Sequence, residues 1–181
     1  PMALSFIVTG TAWKWIMDPG IGIENSMHLW GWTSFQFNWI KDRDMAIYTV
    51  VIAAVWQTSG FVMAIFLAGL RGIDNEILKA AQIDGASNFS LYRRIVIPLL
   101  RAAFLSAFVI LAHLAVKSYD LIIALTGGGP GRATELPATF MYSYTFTRNS
   151  MGIGAASAVI MLMTIAAIMT PYLYAELKEK S

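Results

Sequence analysis

Two long stretches of this chain contain no charged residue, and they constrain its fold more than any other feature. They run from Met45 to Leu70 and from Asn149 to Ala175. A helix of about 20 mostly apolar residues spans the roughly 30 Å hydrocarbon core of a bilayer. Both stretches exceed that length, so each one is predicted to be a transmembrane helix.

The composition also indicates a membrane protein. Hydrophobic residues make up 57% of the 181 residues and charged residues only 13%, whereas soluble domains average about 45–50% and about 25%. The net charge of +2 is small, and no basic stripe suggests nucleic-acid binding. The sequence contains no cysteine, which excludes disulfides and thiolate metal sites.

Two weaker apolar stretches complete the predicted membrane region. Residues 98–125 are long enough to span but contain Arg101, Lys117 and Asp120, while residues 2–17 form a short stretch. We interpret the short stretch as a spanning helix whose beginning is cut off, and the chain as the C-terminal part of a longer polypeptide. The predicted fold is all-α, a polytopic bundle with about four spanning helices, at residues 2–17, 45–70, 98–125 and 149–175.

The distribution of lysine and arginine predicts the topology. Seven of these residues lie in segment 71–101 or in the C-terminal tail, where they include Lys178 and Lys180, and four lie in segments 18–44 and 126–148. Cytoplasmic loops are enriched in Lys and Arg. The 71–101 segment and the C-terminus are therefore expected to be cytoplasmic, and the other two segments outward.

Tryptophans cluster in the first outward segment, at Trp30, Trp32 and Trp39. They fit an aromatic belt at the membrane interface, and they also fit a patch that binds a ligand.

The polar segment 71–97 is predicted to form a helix, a turn and a second helix. Asp74 is a candidate N-cap of the first helix, and Ser87 is a candidate N-cap of the second. Gly85 is placed to end the first helix in a left-handed conformation. Pro98 would begin the next membrane helix, where its missing N–H has no cost. A loop with this much local structure is expected to be bound by something outside the bilayer.

The same residues resemble a known family. They fall at the spacing of the E-A-A-x3-G-x9-I-x-L-P motif of permease subunits of binding-protein-dependent ABC importers. The matching positions are Ala80, Ala81, Gly85, Ile95 and Pro98. The run Leu121–Gly131, which contains Thr-Gly-Gly-Gly-Pro, resembles the outward T-x-G-G-P turn of sugar permeases, and the resemblance extends from about Phe6 to Lys180.

This resemblance implies a transport subunit of the maltose/glucoside-type branch, placed in the cytoplasmic (inner) membrane and surrounded by lipid. The implied partners are a second permease subunit or a second copy of this one, two ABC ATPase subunits and an extracytoplasmic solute-binding protein. The binding protein would contact Trp30, Trp32 and the Gly127–Arg132 turn. ATP and Mg would be bound by the ATPase, since the glycine cluster Gly127–Gly131 lacks the Gly-Lys-Ser/Thr ending of a P-loop. No cofactor is expected in this chain. The implied ATPase-coupling residues are Glu76, Lys79, Ala80, Ala81, Asp84, Gly85, Ala86, Ile95 and Pro98.

One position departs from the family motif. Lys79 stands where the family usually has Glu, and the acidic residue helps to dock the loop on the ATPase. Two interpretations remain open: Glu76, one turn earlier, substitutes for the missing acid, or Lys79 only points to water.

Polar residues within the predicted spans are the candidates for a translocation path. His113, Lys117 and Asp120 are spaced i, i+4 and i+7, so in one helix they would share a face. Charges within a bilayer face protein or water because lipid does not solvate them. Lys117 and Asp120 are thus predicted either to border the path or to form a structural ion pair near the outer interface.

A second candidate group lies in the middle of the 45–70 span. Sugars are bound by amides and hydroxyls together with aromatic rings, because a pyranose has a polar rim and apolar faces. Ordinary hydrogen bonding between helices is the alternative for the polar members. The candidates are Trp56, Gln57, Thr58 and Ser59, with contributions from Tyr119 and Asn149.

The leading interpretation is therefore a permease subunit of an ATP-driven sugar importer, and not an enzyme. Its two histidines, His28 and His113, are far apart, and no catalytic motif is present. The alternatives are a secondary transporter or channel driven by an ion gradient through Lys117 and Asp120, a membrane scaffold without a transport path, and a permease for glycerol phosphate.

Overall fold

The computed structural model describes the backbone of residues 1–179 and the side chains of residues 1–171. Every regular element in residues 1–179 is helical, so the predicted all-α fold is confirmed. Two lysines of the topology argument fall beyond these limits: Lys180 lies outside the described residues, and Lys178 lies beyond the described side chains.

Ten α-helices follow one another along the described chain, together with two π-helical segments. The π-helical segments are Tyr92–Val96, between α5 and α6, and Ser143–Thr147, after α9. The α-helices are α1 Phe6–Ile16, α2 Ile23–Leu29, α3 Ala46–Arg71, α4 Asn75–Ile83, α5 Asn88–Leu91, α6 Ile97–Leu99, α7 Arg101–Lys117, α8 Asp120–Leu125, α9 Pro137–Tyr142 and α10 Met151–Glu179.

Two helices within residues 1–179 are each a candidate for a membrane span. They are α3, with 26 residues, and the Met151–Pro171 part of α10, with 21 residues; at 1.5 Å per residue both reach about 30 Å or more. Their apolar side chains are widely exposed, for example Val55 by 59% and Leu162 by 67%. Large exposed apolar surface of this kind fits contact with lipid or with other membrane subunits.

The first predicted span corresponds to α1, which has 11 residues and a length of only about 16 Å. It packs closely against α8. A Cβ atom placed on Gly10 would lie 2.7 Å from the Cβ of Ala124 and 3.0 Å from the carbonyl oxygen of Leu121. Only glycine therefore allows the two helices to approach this closely.

The main core lies where α1, α3 and α8 meet. Its fully or nearly buried members come from α3 and α8, and partly buried side chains from α1 and the loops pack around them. The short α8 is thus held by packing on both sides, although six residues would not form a stable helix alone. The buried members are Val50, Ala53, Leu121, Ile122 and Leu125.

The third predicted span is not one helix, so the expectation of a continuous helix over 98–125 is wrong. The chain is extended at Ser118, with φ −64° and ψ 111°, and α8 begins at Asp120. Lys117 lies in the last turn of α7 and Asp120 in the first turn of α8. A cation at a helix C-terminus and an anion at a helix N-terminus are each favoured by the helix dipole. Ending one helix after Lys117 and starting the next at Asp120 therefore stabilises both charges.

A sharp bend also occurs at the other end of α7. The helical axes of Asn88–Leu99 and Arg101–Lys117 differ by 61°, and together the two segments form a candidate third crossing. Pro98 lies in the first turn of a helix, as predicted, but that helix is the short α6, and the longer α7 begins three residues later, at Arg101. A proline ring in a regular α-helix clashes with the carbonyl of the residue four positions earlier, here Arg94, and the wider π-helical turn relieves that clash.

Candidate functional site

The segment between α3 and α7 forms a helical hairpin, which we call the coupling hairpin (residues 74–98). The side chain of Asp74 caps α4 by accepting a hydrogen bond from the Glu76 N–H at 2.9 Å. The side chain of Ser87 caps α5 by accepting one from the Ser90 N–H at 3.3 Å. Both predicted N-caps are therefore confirmed.

Gly85 ends α4 as predicted, with φ +80°. Its N–H donates to the Gln82 carbonyl, and the N–H of Ala86 donates to the Ala81 carbonyl, both at 3.0 Å. This pair of bonds is the Schellman motif, which satisfies carbonyl groups at a helix C-terminus. The turn between α4 and α5 is thus fixed by its own backbone hydrogen bonds.

The two faces of the hairpin differ in exposure. Ala81 is buried within the hairpin, and Leu91 of α5 is buried as well. Ile83 is 86% exposed and Phe89 is 75% exposed. Large apolar side chains this exposed on a polar segment are compatible with contact to another protein. Of the predicted coupling residues, Glu76, Lys79, Ala80, Asp84, Gly85 and Pro98 are exposed, Ala86 and Ile95 are half-buried, and Ala81 is buried.

Glu76 and Lys79 form no ion pair in the part of the chain whose side chains are described. Both residues are exposed. The role of Lys79 stays a prediction.

A cavity of about 460 Å³ lies between α1, α3, α7 and α8, and we call it the helix cavity. Most of its wall is aliphatic, including Val51 and Leu114, and the aromatic ring of Phe6 lies at its edge. This volume falls within the range of small-molecule sites, about 300–1,000 Å³. The polar residues that line it are Thr58, Lys117, Ser118, Tyr119 and Asp120.

The structure brings some of the predicted path residues to this cavity and places others elsewhere. Lys117, Tyr119 and Asp120 line the helix cavity, as does Thr58. His113 is exposed on α7 and does not line it. The prediction that His113, Lys117 and Asp120 share one helical face is wrong, because the break at Ser118 places Asp120 on a separate helix.

The other candidates have contacts of their own. Gln57 is buried and donates a hydrogen bond from Nε2 to the Leu4 carbonyl at 2.8 Å, so it ties α3 to the segment before α1. Trp56 packs edge-on against Trp13, with ring centroids 5.9 Å apart. Ser59 donates to the Trp56 carbonyl. None of these three residues lines the helix cavity, and neither does Asn149.

A second cavity, of about 380 Å³, lies beside the glycine turn, and we call it the turn cavity. Tyr119 lines both cavities. In the turn cavity its ring packs against that of Tyr142, with centroids 4.7 Å apart. Arg132 and Glu135 form an ion pair there, with Nε and Oε2 3.6 Å apart. The Gly127–Gly131 turn is the only part of this site that the sequence pattern indicates, and nothing in that pattern points to Tyr142 or Glu135.

The glycine turn is held in a defined shape. Four of its glycines have φ between +64° and +102°, which side chains with a Cβ rarely adopt. The hydroxyl groups of Thr126 and Thr134 hydrogen bond across the turn at 2.6 Å. Thr134 is fully buried, so the turn is anchored on the protein.

Together, the long apolar helices, the cavities between them and the exposed hairpin are features of a polytopic helical membrane protein. The chain belongs to the family of binding-protein-dependent transport system inner membrane components, whose model matches residues 1–179. The resemblance drawn from the coupling segment is therefore confirmed.

Proteins similar to this chain are named as permeases. The chain is 45% identical over 175 residues to a probable ABC transporter permease of Pyrococcus horikoshii, covering 96% of this chain and 60% of that protein. It is 36% identical over 183 residues to the xylose/arabinose import permease of Haloferax volcanii, covering 99% and 56%. It is 31% identical over 174 residues to a trehalose/maltose permease of Thermococcus litoralis, covering 96% and 58%. The chain thus spans a little over half the length of these relatives.

The fold is shared with a solved structure of a bacterial ABC transporter that imports the acidic polysaccharide alginate. The two chains superpose with a TM-score of 0.82 at 19% identity, covering 99% of this chain and 62% of the other. At this identity the match establishes the architecture alone.

Proposed function

We propose that this chain is the translocating part of a permease subunit in an ATP-driven sugar importer. One observation carries the proposal: the two helices that flank the coupling hairpin, α3 before it and α7 after it, both line the helix cavity. A displacement of the hairpin therefore moves two walls of the cavity. An importer driven by ATP needs such a mechanical connection between the subunit that hydrolyses ATP and the cavity through which the solute passes.

Close packing supports this mechanical connection. A Cβ atom on Gly69, near the end of α3, would lie 2.8 Å from Leu100 Cδ2 and 3.4 Å from the Cβ of Ala103. The end of α3 and the start of α7 are thus in tight contact directly next to the hairpin. Packed interfaces of this kind switch between discrete arrangements instead of deforming gradually.

The lining of the helix cavity supports a sugar as the solute. Thr58 and Ser118 offer hydroxyl groups, Lys117 and Asp120 offer a donor and an acceptor, and Tyr119 offers a ring face. Aliphatic walls between these groups suit the C–H faces of a pyranose. Relatives named for xylose/arabinose and for trehalose/maltose favour the same class of solute.

The proposed assembly contains a second permease subunit, two ATPase subunits that bind ATP and Mg, and a soluble binding protein. The ATPase would bind the coupling hairpin through Ile83, Phe89 and the exposed motif residues. The hairpin and the C-terminus would face the cytoplasm, and Trp30, Trp32 and the Gly127–Arg132 turn would face the binding protein. No nucleic acid takes part.

Uptake into proteoliposomes tests this proposal. The full-length subunit, assembled with its partners and loaded with ATP, is expected to accumulate radiolabelled maltose, trehalose or xylose, and vanadate should abolish the uptake. The matched control is the same assembly loaded with ADP. Uptake that needs an ion gradient and ignores ATP would establish the secondary transporter instead. ATP-driven uptake of glycerol phosphate without any sugar uptake would reassign the solute.

A further inference from the structure

The turn cavity has the composition of a carbohydrate site. It plays no part in the proposed mechanical connection between the coupling hairpin and the helix cavity. Its volume of about 380 Å³ lies in the lower part of the range of small-molecule sites. Residues from α8, the glycine turn, α9 and the following π-helical segment surround it. Its polar side chains come from Tyr119, just before α8, from the turn and α9, and from the π-helical segment.

Two tyrosine rings form the aromatic part of this cavity. The centroids of Tyr119 and Tyr142 are 4.7 Å apart with an interplanar angle of 42°, and Tyr142 remains 42% exposed. Tyrosine combines an apolar ring face with a hydrogen-bonding tip. That combination matches a pyranose, whose C–H groups lie on its faces and whose hydroxyls lie on its rim.

The charged pair supplies hydrogen-bonding capacity. Arg132 Nε and Glu135 Oε2 are 3.6 Å apart, which is longer than a hydrogen bond. The guanidinium group has five N–H donors and the carboxylate accepts through two oxygens. Both groups can therefore bind neighbouring hydroxyls of a sugar while keeping their mutual attraction.

We propose that the turn cavity is a second carbohydrate subsite and that Tyr119 is the residue shared by the two subsites. The proposal rests on the proposed function, since it assumes that the solute is a sugar. Because Tyr119 lines both cavities, a sugar leaving the turn cavity meets the same ring that borders the helix cavity. The subsite is preorganised, because the Thr126–Thr134 bond fixes the glycine turn and a hydrogen bond from the Leu136 N–H to Thr139 Oγ1 fixes the start of α9.

The 181 residues contain no cysteine, so labelling gives a direct test once the rest of the assembled transporter is made cysteine-free. Ser143→Cys places a thiol in the turn cavity, Ser118→Cys places one in the helix cavity, and Ser34→Cys places one on an exposed loop that lines neither. The assembled transporter is purified in nanodiscs without the binding protein, so that any protection comes from the sugar. The measured quantity is the rate of maleimide labelling with and without millimolar maltose, trehalose or xylose.

We expect a transported sugar to slow labelling of the Ser143→Cys and Ser118→Cys variants at least threefold and to leave the Ser34→Cys variant unchanged. Protection of Ser118→Cys alone would overturn the second subsite and leave the proposed function standing. Protection of neither position, with no ATP-driven sugar uptake, would overturn both. These outcomes separate failure of the subsite from failure of the proposed function.

A second pair of variants separates ring stacking from general packing. In the Ser143→Cys background, Tyr142→Phe should keep the protection because the ring face remains, and Tyr142→Ala should remove it. When Tyr142→Phe or Tyr142→Ala is instead combined with Ser118→Cys, the sugar should slow labelling of Cys at position 118 as much as it does in the Ser118→Cys variant alone. Equal protection in the Ala and Phe variants would show that the aromatic face does not bind the sugar.

Discussion

Gly10 determines how closely α1 and α8 can pack. The atoms that face it are the Ala124 Cβ and the backbone of Leu121 and Leu125, and a backbone does not move aside as a flexible side chain does. The contact also supports the main core, because Leu121 and Leu125 are two of its buried members.

We predict that Gly10→Ala destabilises the folded subunit by on the order of 1–3 kcal/mol, the usual cost of overpacking a tight contact. Thermal unfolding of the purified full-length subunit in detergent should show a Tm lower by several degrees. Gly152→Ala is the matched control, because a Cβ atom there meets nothing within 4 Å and alanine favours helix over glycine by about 1 kcal/mol. An unchanged Tm for Gly10→Ala would contradict the close packing of α1 on α8.

Single residues also show which features could be predicted from the sequence. The caps at Asp74, Gly85 and Ser87 follow local chemistry, and all three were predicted correctly. The burial of Gln57 was not predictable, because its partner is the carbonyl of Leu4, 53 residues earlier in the chain. A midspan glutamine looks the same in the sequence whether it ties two helices together or binds a solute.

At the scale of elements, the coupling hairpin combines an ordered turn with an exposed apolar surface. The Schellman motif at Gly85 sets the angle between α4 and α5, and therefore the relative placement of Ile83 and Phe89. A partner that binds both side chains depends on that angle.

Gly85→Val is expected to reduce coupled ATP hydrolysis and sugar uptake at least tenfold, with normal amounts of assembled transporter. A β-branched residue at φ +80° is strained, so the turn should open. Gly85→Asn is the matched control, since asparagine tolerates the left-handed conformation and should retain most of the activity. Full activity of Gly85→Val would show that the hairpin angle does not matter for coupling.

The break between α7 and α8 shows the limit of sequence analysis for elements. Residues 117–120 contain neither glycine nor proline, so no ordinary signal marks a helix end there. The spacing of Lys117 and Asp120 fits an intrahelical pair, and it fits the ends of two separate helices equally well. Packing of α8 against α1 and α3 selects the second arrangement, and those contacts are made with residues far away in the sequence.

At the scale of the whole molecule, the distribution of charge predicts one orientation in the membrane. We expect an impermeant maleimide to label a Ser34→Cys variant in intact cells, and a Gln82→Cys variant only after permeabilisation. Both side chains are exposed, so accessibility within the protein is matched between the two. Labelling of Gln82→Cys in intact cells would reverse the topology and place the coupling hairpin outside.

The two bends that bound α7 have a mechanical consequence. Between the 61° bend at Leu100 and the extended residue Ser118, α7 is a strut of 17 residues, about 26 Å long. If α7 tilts by about 10° about its hairpin end, its other end moves by roughly 4–5 Å. That swing is about the thickness of a sugar ring, and it would occur at Lys117, on the wall of the helix cavity and next to Tyr119. Under the proposed function, a modest tilt imposed at the hairpin would thus become a displacement about the size of the transported sugar.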